Sequence, residues 1–126
     1  MRGFKRSIAY AVTIAVVGMT GIGAAGAAGA LAIGGCGAYG QAFDFRTTAA
    51  AHNSAMQKCK QSGCRIVATL RKTCAALAVD VANPCGAHGS AKASRLGAAQ
   101  NDALRACYRG GGKDCVIRTF VCDGKG

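Results

Sequence analysis

Cys36-Gly-Ala-Tyr-Gly40 recurs as Cys85-Gly-Ala-His-Gly89, and the rest of the chain falls into place around that recurrence. Outward from it, Ala55-Met56-Gln57-Lys58-Cys59 answers to Ala103-Leu104-Arg105-Ala106-Cys107. Cys64-Arg-Ile-Val67 answers to Cys115-Val-Ile-Arg118, and Cys74 to Cys122. Gly29-Ala-Leu-Ala-Ile33 precedes the first block as Ala75-Ala-Leu-Ala-Val79 precedes the second. Each of the 8 cysteines therefore has a counterpart, with small insertions absorbing the drift in spacing. Self-similarity at a near-constant period is the mark of a chain built from repeated supersecondary units.

Each unit reads as strand, strand, helix, strand. In the first, Ala30–Ile33 and Ala38–Phe45 are strands, and Thr47 or Thr48 caps a helix that runs to Lys60. A threonine oxygen there accepts from amide groups that have no partner within the helix. Ala51, Ala55, Met56 and Cys59 share one face of that helix, as Ala99, Ala103, Leu104 and Cys107 do in the second. Gly63 and Gly110-Gly111-Gly112 end the two helices. Asn83-Pro84 marks the turn between strands at Ala75–Val81 and Ala87–Lys92. Cys64–Lys72 and Cys115–Cys122 close the units as strands. In the first of these, Ile66, Ala68 and Leu70 alternate with Arg65, Thr69 and Arg71, which predicts one solvated face. The expected fold is α+β: two pseudo-symmetric ββαβ-like repeats forming antiparallel sheet, two helices packed on it, and disulfides stapling the whole.

Met1-Arg-Gly-Phe-Lys-Arg6 carries three positive charges, and no charged residue follows from Ser7 to Phe43. A basic start, an apolar run and small residues at A-x-A spacing describe a secretory signal peptide. The run is long enough to span a bilayer, but Gly and Ala dominate its second half and give little apolar driving force. Cleavage at Ala30-Leu31-Ala32 would destroy the first strand, so Ala25-Gly26-Ala27 is the better site. The reading is a signal peptide over 1–27 and one domain over 28–126, made of repeats at about 28–74 and 75–126. Ile33-Gly34-Gly35-Cys36 loosely resembles a lipidation site, but modifying Cys36 would leave an odd number of thiols. The expected location is outside the cytoplasm: secreted, periplasmic or in the cell envelope.

An oxidising compartment favours disulfides over thiols. If the repeats are related by a pseudo-two-fold, cysteines near the axis can bond to their counterparts and the others must bond locally. Cys59 ends a helix and Cys64 begins the next strand; Cys107 and Cys115 match them. The expected pairs are Cys59–Cys64 and Cys107–Cys115, with Cys36–Cys85 and Cys74–Cys122 tying the repeats together. Structural zinc favours C-x2-C, whereas the close pairs here are C-x4-C and C-x7-C, so no metal is assigned.

Signals for catalysis are thin. His52 and His88 are the only histidines, and the five acidic residues (Asp44, Asp80, Asp102, Asp114, Asp123) are scattered. No nucleophile stands in a motif with a base and an orienting group. Gly110-Gly111-Gly112-Lys113 follows a helix, whereas a phosphate loop follows a strand. No catalytic, cofactor-binding or metal residue is assigned, no cofactor is expected, and the protein is read as a non-enzyme.

Beyond residue 27 there are thirteen Lys and Arg against five Asp. They are dispersed over helices and strands, without the basic stripe and aromatics that specific nucleic-acid binding would need. The expected partner is a protein or envelope component, with weak, salt-sensitive contact to anionic polymers and no stable membrane insertion after cleavage. Three functions compete: an interaction module, a nonspecific cationic binder of envelope polymers or membrane surface, and a hydrolase uniting His52 or His88 with an Asp.

The blocks Gly29-Ala-Leu-Ala-Ile33, Gly37-Ala-Tyr-Gly40, Cys64-Arg-Ile-Val-Ala68, Cys74-Ala-Ala-Leu-Ala78 and Val121-Cys122-Asp123 resemble the secreted bacterial domain-of-unknown-function 4189 family. The resemblance spans essentially all of the chain beyond the leader. It implies a small secreted α+β domain with two ββαβ-like halves, and it supplies no accepted catalytic residues to carry over.

Overall fold

Two short runs of alternating small and large apolar residues make the central strands, β1 (Ala28–Ile33) and β4 (Cys74–Asp80), each buried along its whole length. The computed structural model describes residues 28–124, and the leader expected over 1–27 lies outside them. Successive side chains of a strand point to opposite faces. Leu31 and Ile33 of β1 thus face Ala75, Leu77 and Val79 of β4 in one shared core. The opposite faces carry Ala28, Ala30 and Ala32 in β1, and Cys74, Ala76 and Ala78 in β4.

β1 lies between β2 (Tyr39–Phe45) and β3 (Arg65–Leu70), antiparallel to both; β4 lies likewise between β5 (His88–Ala93) and β6 (Cys115–Cys122). The antiparallel sheet expected from the sequence is thus two three-stranded sheets, one per half, stacked through their large-residue faces. The small-residue faces receive the helices, α1 (Thr48–Cys59) on the first sheet and α2 (Leu96–Arg109) on the second. The order of layers is helix, sheet, sheet, helix.

Both helices sit unusually close to their sheets because glycine lies beneath them. A Cβ on Gly40 would lie 2.6 Å from Cys59 N and collide with the Ala55 carbonyl. Gly89 stands in the same relation to Ala103 and Cys107. The last glycine of each Cys-Gly-Ala-x-Gly block therefore sets the distance between helix and strand. Thr47 is the cap of α1, its Oγ1 accepting from Ala50 N at 3.1 Å. The buried face of α1 is Ala51, Ala55 and Cys59; Met56, expected on it, is exposed.

Strict alternation fails in β2, β3 and β6: Ala28 pairs with Phe45 but Ala30 with Ala42, which leaves one extra residue in β2. Leu31 pairs with Ala68 but Ala32 with Ile66, so Val67 is an extra residue in β3. Leu77 pairs with Thr119 but Ala78 with Ile117, which leaves Arg118 extra in β6. Such a bulge reverses the faces on its two sides. Ile66 consequently packs toward α1 while Ala68 and Leu70 face the other sheet, correcting the expectation that all three share a face. The same device puts Ile117 toward α2 and Val121 into the inter-sheet core.

Disulfides join Cys59 to Cys64, Cys107 to Cys115, Cys36 to Cys85 and Cys74 to Cys122. The first two tie each helix end to the following strand. Cys74 is the first residue of β4 and lies opposite Cys122 in β6, so their bridge staples the second sheet internally. The expectation that it ties the two halves together is corrected on that point. Cys36–Cys85 does cross between the halves, at the end of the sandwich opposite the short Arg71–Thr73 connection. Among the described residues no helix is long and apolar enough to cross a membrane.

Candidate functional site

Stacking the two sheets sets β2 beside β6 along one seam and β3 beside β5 along the other. Thr69 pairs with Ala30 just as Phe120 pairs with Ala76, and Ala42 pairs with Ala30 just as Ala91 pairs with Ala76. Phe43 and Phe120 on one seam therefore stand where Lys92 and Thr69 stand on the other. The polar seam is bridged, Lys92 Nζ donating to Thr69 O at 3.2 Å, while within the first half His52 Nε2 of α1 lies 2.7 Å from Thr69 Oγ1. The aromatic seam stays open, with Phe43 58% and Phe120 49% exposed.

Three polar contacts hold the β2/β6 seam in register. Thr119 Oγ1 and Gln41 Oε1 are 3.0 Å apart, the hydroxyl donating. Asp44 N donates to Asp123 Oδ1 at 3.0 Å. Arg118, the bulge residue, donates from Nε to Gly37 O at 3.4 Å and lays its guanidinium over the Tyr39 ring, 5.6 Å from the centroid. A groove of about 250 Å³ runs past Phe43 and Phe120, floored by Gln41, Val121 and Cys122. At the disulfide end a cavity of about 350 Å³ opens between Val79, Val81, Val116 and Arg118.

Two of the carboxylates, Asp80 and Asp123, are buried in structural contacts. Asp80, buried at the end of β4, accepts from Lys113 N (3.2 Å), Ala82 N (3.0 Å) and Asp114 N (3.2 Å). The Lys113 amide above all, then those of Ala82 and Asp114, holds its carboxyl below the ordinary value against the opposing effect of burial. The glycine-rich turn that mimics a phosphate loop thus wraps an anion supplied by its own chain. Asp123 is also buried, and its Oδ2 has no hydrogen-bond partner among the described residues.

The histidines lie in opposite halves: His52 within α1, at Thr69, and His88 exposed at the start of β5. All cysteine sulfurs are in disulfides. Among the described residues no group of three or more His, Cys, Asp or Glu is placed to hold a metal.

Sequence reading passed over Phe43, Phe120, Tyr39 and Arg118. The available signal was their mismatch on superposing the halves, Phe43 against Lys92 and Phe120 against Thr69. A family model described as a domain of unknown function (DUF4189) matches residues 28–122. No curated protein and no solved structure matches the chain.

Proposed function

Since the chain belongs to the DUF4189 family, a domain of unknown function by its own description, we propose a role from its surface: an exported interaction module that grips a partner protein along the β2/β6 seam. The observation that carries this reading is the Phe43/Phe120 pair, left open where the equivalent Lys92/Thr69 pair is bridged. Large exposed aromatics on a disulfide-braced frame suit an interface, because a rigid anchor loses little entropy on docking. Charge argues for the rim of the partner's patch. Beyond residue 27 thirteen cations face five carboxylates, and two of those, Asp80 and Asp123, are buried. The partner surface is therefore apolar at its centre and acidic around it.

The test is capture on the immobilised, oxidised protein at low and high salt, with Phe43→Ser/Phe120→Ser and Lys92→Ser variants alongside. A single partner retained at high salt, lost with the two phenylalanines and kept by Lys92→Ser, is the expected result. Salt-labile capture of acidic material that ignores both phenylalanines supports the alternative, a nonspecific cationic binder of envelope polymers. Self-association lost in the double variant would give the seam to a second copy of the chain.

A further inference from the structure

We infer that the cavity beside Cys36–Cys85 is a binding site for a small amphiphilic carboxylate, its head on Arg118 and its apolar body against Val79, Val81 and Val116. This site is separate from the phenylalanine groove at the other end of the seam, and the inference does not depend on the proposed partner.

The walls combine aliphatic side chains, Pro84 and Cys36 with polar surface that includes Gly37 and Arg118, and Arg118 is the one charged residue among those lining the space. Val81 and Val116 are 47% and 40% exposed, so apolar surface stays in contact with water at the mouth. A volume of about 350 Å³ is at the small end for ligand cavities, with room for one short chain and not for a two-chain lipid.

Arg118 is preorganised. Its Nε is held by Gly37 O and its face by Tyr39, which leaves both terminal amino groups free to form a fork. Among the described residues the ion pair formed is Arg105–Asp102, on the far helix, so no carboxylate neutralises Arg118. A planar monoanion matches one guanidinium in charge and shape. A dianion would carry an uncompensated charge against aliphatic walls. In the first half the position of Arg118 is taken by Val67, so the equivalent bulge offers no cation.

The experiment is a methyl-resolved NMR titration of the purified oxidised protein with decanoate and, separately, decanol, both below the concentration at which decanoate self-associates. Decanoate should shift the Val79, Val81 and Val116 methyls saturably, and decanol should bind at least about tenfold more weakly, as loss of one charge-assisted pair implies. Arg118→Met should bring decanoate down to the affinity of decanol with the remaining methyl spectrum unchanged. If that variant does not fold, Arg118→Lys, which keeps the charge but loses the fork, should give an intermediate loss. Absence of a saturable shift at these valines would overturn the inference. So would equal affinity for acid and alcohol, or indifference to both substitutions.

Discussion

The buried carboxylate of Asp80 accepts the backbone N–H of Lys113 at 3.2 Å, joining the end of β4 to the glycine-rich turn ahead of β6. With the Ala82 and Asp114 amides it holds the acid below its ordinary value of 3.8. An acid whose folded pKa is depressed stabilises the fold above its unfolded pKa, and that contribution disappears as pH falls through the folded one. Urea midpoints of the native protein should therefore fall on acidification below about pH 4. Asp80→Asn should have a lower midpoint at neutral pH and a flatter acid limb, because an amide nitrogen in place of Oδ2 cannot accept the Lys113 N–H and the remaining oxygen carries no charge. Equal acid limbs for the two proteins would count against the assignment.

Glycine spacing makes a second prediction. Gly40→Ala or Gly89→Ala forces a methyl into helix backbone, and each should destabilise by about 1–3 kcal/mol or more. Gly97, in the first turn of α2, has open space around it. Gly97→Ala should be neutral or stabilising by up to about 1 kcal/mol. Denaturant titration of the three variants decides it.

The two kinds of bridge should differ in worth. Cys74–Cys122 closes a sequence separation of 48 and Cys59–Cys64 one of 5. On chain entropy, replacing the first pair by alanine should cost about 4 kcal/mol and the second about 2 kcal/mol. Thermal midpoints should fall in that order.

Phe43→Ser/Phe120→Ser should cost no more than about 1–2 kcal/mol of stability, since both side chains are about half in water. Retention on a hydrophobic column should fall. A large loss of stability would mean the pair belongs to the core.

Much of the architecture was legible because cysteine spacing marks the ends of elements. Cys59 ends α1, Cys107 lies in the last turn of α2, Cys115 opens a strand, and the order strand, strand, helix, strand follows from that in each half. Bulges at Val67 and Arg118 were not legible. Period-two reading assumes an unbroken pleat, and nothing in Ile66-Val67-Ala68 distinguishes an extra residue from a regular one. Two stacked sheets replaced one for a related reason: Leu31 and Leu77 read as core, but only tertiary packing sets them against each other. The seam was hidden with it, since Phe43 and Phe120 come together through stacking and not through spacing.

The Cys36–Cys85 bridge also has a topological meaning. The backbone from Cys36 through β2, α1, β3 and β4 to Cys85 becomes a covalent ring, with Arg71–Thr73 as its tight bend and the disulfide as its clasp. A short connection between two similar halves ordinarily invites exchange of halves between molecules. In the oxidised monomer that ring must be cut before the sheets can part, so exchange of halves requires prior reduction of Cys36–Cys85.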